Sequence, residues 1–347
     1  MKPYCLFFVL FLTSCQTNDG KAIHTNGITL NINGFTIITD TITITQKEIV
    51  APELKYDGNY YCFSYSKDSL SGAESFGFYI IDPDYNIKKI KAVPVYDNIG
   101  YNDMHVSHDS VIIKPAFDDN QSFYLDEEER SWKMIKAPDD AVFEDNDYYV
   151  TSLDRGEWGS ATWFKDKKTG IEYETSGILP PEINKFKGAY YLISPGEINI
   201  VDDPKLLENV GKGVYISYCS IDKTRAFYER KYISKAKGSR NIFKRKITYE
   251  IEDSFYIGPS FIHNDTIYFV VSDSYKIYIA KTENNKLLPV ATIGNNLYTK
   301  KHPNQYRNLY LNKTIKFYNE DVDLYGLLEI SNGDILLHYF KQTYKNE

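Results

Sequence analysis

Long apolar runs are almost missing from this chain of 347 residues. A membrane-spanning helix takes about 20 consecutive apolar residues. Beyond Leu12 no segment approaches that length, so no transmembrane helix is expected. Positive charge is outnumbered, with 40 Lys and Arg against 47 Asp and Glu and a formal net charge of -7. That balance argues against general nucleic-acid binding. Alanine and leucine at helical spacing are few. The one short helical candidate is Pro204 to Asn209, with Asp203 as its N-cap. No Gly-rich phosphate loop, His-Glu-x-x-His pattern or Gly-x-Ser-x-Gly elbow occurs. Neither a cofactor nor a metal is therefore expected.

What the chain has in abundance is aromatic residues, 31 Tyr and 19 Phe. Aromatic and β-branched side chains suit a pleated, half-buried surface. Apolar and polar residues alternate over short runs bounded by Gly, Asn and Asp, which is the strand signal. Clear cases are Ile28 to Ile32, Phe35 to Ile44 and Ile267 to Val271. The runs recur as a unit whose leading strands are Tyr60 to Tyr65, Val111 to Pro115, Tyr148 to Ser152, Ala189 to Ser194, Val214 to Cys219, Thr266 to Ser272 and Thr314 to Tyr318. Hairpins such as Phe76 to Ile81 turning through Asp82-Pro83-Asp84-Tyr85-Asn86 follow these leads. A period of about 35 to 55 residues is that of four-stranded propeller blades. The expected fold is all-β, a single β-propeller of about seven four-stranded blades, with six or eight as the alternatives. The strands of Ile28 to Thr45 would supply the outer strand that closes the ring, since open sheet edges invite pairing with other chains.

The first fifteen residues read as a signal. Lys2 gives a positive start, Cys5 to Leu12 is apolar, and Leu12-Thr13-Ser14-Cys15 closes the run. This resembles the lipobox of a bacterial lipoprotein, which implies that Cys15 is lipidated and becomes the new N-terminus. The expected organisation is a signal peptide at 1–14, the lipidated cysteine with a linker at 15–26, and a propeller-like domain at 27–347. Acyl chains strengthen membrane binding by about 0.8 kcal/mol per buried methylene, so the chain is expected to be anchored rather than spanning. Gln16 follows the cysteine, which by resemblance to lipoprotein sorting patterns argues for the outer membrane of the bacterial cell envelope. The periplasmic or surface face stays open. Cys62 and Cys219 remain in the mature chain. Each sits in a Tyr-rich run, and both are read as buried thiols, with a disulfide as the alternative. The repeats, too, resemble those of bacterial lipoproteins with propeller-like domains, over nearly the whole mature chain. No repeated Trp-Asp pair or double glycine assigns a named propeller family.

Several residue groups are candidate sites. Ser152-Leu153-Asp154-Arg155-Gly156-Glu157-Trp158 resembles the start of the Asp-box turn of sialidase-type propellers. It departs at Trp158, where Ser or Thr belongs, and at Gly159, where an aromatic belongs. Trp158 and Trp163 could stack on a sugar, with Asp154, Arg155 and Glu157 bonding its hydroxyls. A turn with a packed Trp and a local ion pair explains the same residues. The Asp82 to Asn86 segment has half the pattern of a calcium loop, but turn chemistry accounts for it. His105 and His108 fall on opposite faces of a strand, which disfavours a shared metal. From Arg230 to Lys246 eight bases occur without an acid: Arg230, Lys231, Lys235, Lys237, Arg240, Lys244, Arg245 and Lys246. Lys237 to Arg240 reads as the tip of a long hairpin that could contact an anionic surface. From Asp118 to Asp147 acids dominate instead. Such blocks are most often solvated loops.

With no catalytic residue identified, the sequence points to a membrane-anchored, non-catalytic binding or scaffold module for an envelope protein or glycan. The alternative is a carbohydrate-active hydrolase or lyase on the same fold. Glycoside hydrolysis needs two carboxylates flanking the scissile bond, and blade spacing hides any such pair from the sequence.

Overall fold

A computed structural model describes residues 20–46, 48–65, 76–90, 102–107, 109–115, 122–135, 141–154, 160–178, 180, 182–213, 237–245, 255–298, 313–331 and 333–343. The fold is all-β. Six small sheets stand in a ring, the arrangement of a six-bladed β-propeller.

The chain enters through β1 (Gly20–Lys21), β2 (Ile23–Ile32) and β3 (Phe35–Thr45). Pairing thus begins inside the stretch read as a linker. Blade one is β4 (Ile49–Tyr56), β5 (Asn59–Tyr65), β6 (Phe76–Ile81) and β7 (Asn86–Ile90), with β1 added outside β7. Blade two is β8 (Asn102–Ser107), β9 (Ser110–Pro115), β10 (Ser122–Asp126) and β11 (Ser131–Ile135). Blade three is β12 (Ala141–Glu144), β13 (Tyr148–Asp154), β14 (Ser160–Asp166) and β15 (Glu172–Ser176). Blade four starts with β16 (Glu182–Phe186), β17 (Ala189–Ser194) and β18 (Glu197–Val201). The chain then returns as β19 (Glu208–Gly211) to pair with β15 of blade three, and only afterwards supplies β20 (Ser239–Lys244) beside β18. Blades three and four are thereby interlocked. Blade five is β21 (Tyr256–His263), β22 (Thr266–Ser272), β23 (Lys276–Glu283) and β24 (Lys286–Asn295). The last sheet holds β25 (Leu297–Tyr298), β26 (Lys313–Asn319), β27 (Leu324–Ser331) and β28 (Asp334–Thr343), extended by β3 and β2.

Six sheets rather than seven is a correction with a local cause. The lead Val214 to Cys219 lies outside the described residues. The next strand among the described residues, β20, completes blade four instead of opening a blade of its own. The helical candidate is a short 3-10 turn, Pro204–Leu206, in which the Asp203 carboxylate accepts from the Lys205 amide at 2.9 Å.

Closure follows the expected route with a specific geometry. β3 hands the chain to β4, so it runs in the sense of a blade's last strand. β28 already runs in that sense, and the two pair in parallel from Asp334 opposite Thr36 to Thr343 opposite Thr45. The alternation along β3 serves both neighbours. Phe35 and Ile37 join the core shared with blade five, while Ile42 and Ile44 join the core shared with blade one. Turn chemistry sets the hairpins. Asp82 accepts from the amides of Asp84 and Asn86, at 3.1 and 2.8 Å, which accounts for the acidic segment without calcium.

In blades one to five the tight turns after the first strands gather on one rim. There neighbouring blades are tied by Tyr56 to Asp109 at 3.4 Å, Lys185 to Asp145 at 2.6 Å and Lys187 to Asp265 at 2.7 Å. β5, β7, β9 and β13 end, and β6, β8, β10 and β14 begin, on the opposite rim.

Candidate functional site at the ring closure

A cluster of six titratable side chains, His24, Asp40, Lys55, Tyr60, Glu329 and His338, sits where the last blade meets the first. The parallel register places His338 of β28 directly opposite Asp40 of β3. Because side chains alternate, a slip of one residue would turn Asp40 to the other face. His338 Nδ1 lies 2.9 Å from both Asp40 oxygens, and its Nε2 lies 2.9 Å from Glu329 Oε2 on β27. Lys55 of β4 reaches the same Glu329 oxygen at 2.6 Å. The Tyr60 hydroxyl of β5 is 3.2 Å from Nδ1. His24 of β2 meets Asp40 at 3.0 Å and stacks on Tyr85 with ring centroids 4.6 Å apart. Two blades and the N-terminal strand pair thus converge on one imidazole, whose side chain is 3% exposed.

The charge states follow from these contacts. Burial alone would lower the His338 pKa, but hydrogen bonds to Asp40 and Glu329 outweigh it and raise the value above the usual imidazole range. Burial would raise Asp40, yet His338 and then His24 hold its carboxyl below the ordinary value. Glu329 is likewise held low, because His338 and Lys55 overcome the cost of burial. Burial pushes the Tyr60 hydroxyl up, with the Asp40 charge adding to it. The consistent state is an imidazolium donating one N–H to each carboxylate. Each ring nitrogen is committed to a carboxylate and the ring is enclosed. The cluster is therefore built to hold strands together, not to meet a substrate.

The same seam carries a second polar pin, and the seam between blades four and five another. Lys316 of β26 reaches Glu53 of β4 at 2.5 Å, and burial pushes the Glu53 carboxyl up despite that partner. Glu182 of β16 accepts from the Ser260 amide at 2.9 Å and from its hydroxyl at 3.0 Å, joining blades four and five.

The residues singled out in the sequence fall elsewhere. Asp154 ends β13 and pairs through its backbone with Ser160, so residues 155–159 connect β13 to β14. Arg155, Glu157 and Trp158 lie outside the described residues. Trp163 is 0% exposed in the core, so its ring offers no face to a sugar, which corrects that assignment. In the basic run, Lys237 pairs with Glu208 at 2.9 Å, Arg240 with Asp202 at 3.1 Å and Lys244 with Glu197 at 3.6 Å. Arg245 stands over the Phe255 ring at 4.6 Å. Ser239 and Arg240 belong to strand β20, not to a hairpin tip. The turn before them is pressed inward, since a Cβ on Gly238 would lie 2.5 Å from the Leu206 carbonyl. Arg230, Lys231, Lys235 and Lys246 lie outside the described residues, as do Cys15, Cys219 and His108. His105 is buried in β8. Cys62 is a buried free thiol whose pKa burial raises.

Sequence reasoning passed over Asp40, His338, Glu329 and Lys55. The available signal was an isolated charge in an otherwise Thr- and Ile-rich strand, Asp40 in Phe35–Thr45, matched by His338 among apolar neighbours in β28.

No family model matches the chain, and no curated protein matches it. Among solved structures it is similar to the Trypanosoma rangeli sialidase in complex with 2,3-difluorosialic acid. That match has a TM-score of 0.31 and 9% identity, and covers 90% of this chain and 58% of the sialidase. It is also similar to the AtxE2 isopeptidase with an astexin bound, at a TM-score of 0.22 and 8% identity, covering 94% of this chain and 66% of the isopeptidase. The chain spans less than two thirds of either protein's length, and likenesses this distant assign it no activity.

Proposed function

We propose that this protein is a lipid-anchored, non-catalytic binding or scaffold module of the bacterial envelope, held through Cys15 in the outer membrane and presenting a propeller to a protein or glycan partner. The observation that carries the non-catalytic part is the enclosure of the seam cluster. Its imidazole, two carboxylates and amine are engaged with one another between blades, where catalysis would need them open to a substrate. The lipobox pattern supports the anchor. The described bases of the Arg230 to Lys246 run are paired with acids of this chain, or in Arg245 set over an aromatic ring, which weakens the case for that run as the contact to an anionic surface.

Two measurements test the reading. Cys15→Ala should move the protein from the membrane fraction to the soluble fraction, and retention in the membrane would refute the anchor. The soluble Cys15→Ala protein is then screened against a glycan panel and used for co-purification from envelope extract. Turnover of a glycan would replace the scaffold reading with the hydrolase or lyase.

A further inference from the structure

The outermost strands of the ring are not alike. Among the described residues, β7 with β1 carries Lys88, Lys89 and Lys21, and β11 carries Lys133. β19 carries Glu208, β20 carries Arg240 and Lys244, and β24 carries Lys286 and Pro289. Charges and prolines on an outer strand discourage another chain from adding to the sheet. β2 is the outermost strand of the last sheet, and its ten residues, Ile23–Ile32, include no Lys, Arg, Asp, Glu or Pro. Its titratable residue, His24, is engaged by Asp40.

The same strand exposes large apolar side chains, Ile23, Ile28 at 63% and Leu30 at 46%. Leu30 stands opposite Ile37 and Ile23 opposite Thr43, so these side chains share the face of β3 that carries Phe35 and Ile37. Blade five covers the Phe35 and Ile37 part of that face and leaves the outer part open. The edge-blunting device that remains is a register shift between Asn26 and Thr29, which leaves straight segments on both sides.

We propose that β2 is a docking edge that takes the β2 strand of a second copy of this chain, joining two last sheets across one antiparallel seam. Neutrality favours the identical strand as occupant. In an antiparallel self-pair the residues near the two-fold axis meet their own copies or near neighbours, and like charges opposite each other destabilise a strand pair; β2 carries no Lys, Arg, Asp or Glu to clash there. The strand order offers the backbone groups of β2 for strand addition. The position of the chain's start favours the same occupant. Cys15 precedes Gly20 by five residues, which span at most about 18 Å. Under the anchor reading above, every copy would be held in one plane with β2 close to its tether.

The test uses the Cys15→Ala protein, so it reads the edge independently of lipidation. Sedimentation velocity from low to high micromolar concentration is expected to show a dimer. Leu30→Lys, and separately Ile28→Lys, should return it to a folded monomer with an unchanged β circular-dichroism spectrum and a midpoint that no longer depends on concentration, because both side chains are exposed. Tyr275→Lys, at an exposed position on blade five, should leave the dimer intact. A monomer at every concentration overturns the proposal. So does a dimer that survives both β2 substitutions, or one that Tyr275→Lys disrupts equally.

Discussion

Replacing His338 with Leu tests whether the seam cluster holds the ring closed. Leucine keeps most of the volume and removes the cation. The wild-type imidazolium makes two charge-assisted hydrogen bonds, to Asp40 and Glu329. Such bonds contribute roughly 1.5–3 kcal/mol each, and removing one partner of a buried pair costs about 3–5 kcal/mol. Lys55 stays on Glu329 and His24 on Asp40, so the expected loss is near the lower bound, about 3 kcal/mol. At roughly 2 °C per kcal/mol for a domain of this size, the midpoint should fall by about 6 °C. The assay is thermal unfolding followed by tyrosine and tryptophan fluorescence from about pH 5 to about pH 9. The folded pKa of His338 is raised above the ordinary imidazole value of 6.5. Its contribution is therefore complete below that value and is lost as pH rises through the folded pKa. The gap between wild type and variant should be widest in mild acid and close on the alkaline side. Asp40 and Glu329 are lowered from 3.8 and 4.5, so their contribution is present above those values and disappears as pH falls through the folded ones. A gap that is independent of pH, or below about 1 kcal/mol, would refute the clamp.

Lys316→Ala should destabilise by about 3 kcal/mol, because it leaves Glu53 buried without its cation; the double variant with Glu53→Gln should recover part of that loss in the same unfolding assay. Gly238→Ala places a methyl 2.5 Å from the Leu206 backbone at a φ of +72°, so it should cost about 1–3 kcal/mol in chemical denaturation. Trp163→Ala should cost about 3–5 kcal/mol as a core cavity; unchanged stability with a specific loss of glycan binding would restore the sugar-stacking role.

The repeat was legible because each hairpin announces itself locally. Alternating runs such as Ile267–Val271 and turn residues such as Asp82 and Gly333 act within a few residues, and the strands they imply are present. The ring closure was legible as well, since β3 needed a partner. Blade number was not, because it depends on where a strand goes after it forms. Nothing within Ser239–Lys244 says that it pairs with β18, and nothing in Glu208–Gly211 says that it returns to β15. The seam cluster was hidden for the same reason. Asp40 and His338 are 298 residues apart, and their meeting is a property of register. Trp163 misled because tryptophan near glycine and charge fits a binding platform and a core plug equally well.

The parallel seam between β3 and β28 also has a consequence for the order of assembly. β3 finds this neighbour only once β28 has been made, and Asp40 and His338, which face each other across it, are 298 residues apart. Pairings of that range are slow, since loop-closure entropy is lost before contacts form. Until then Phe35–Thr45 presents a Thr- and Ile-rich edge with a single charge, the kind of surface on which incompletely folded chains associate. A nascent chain would therefore hold five blades and an unlatched hairpin, and its release into a concentrated compartment is the moment at which holding factors matter most.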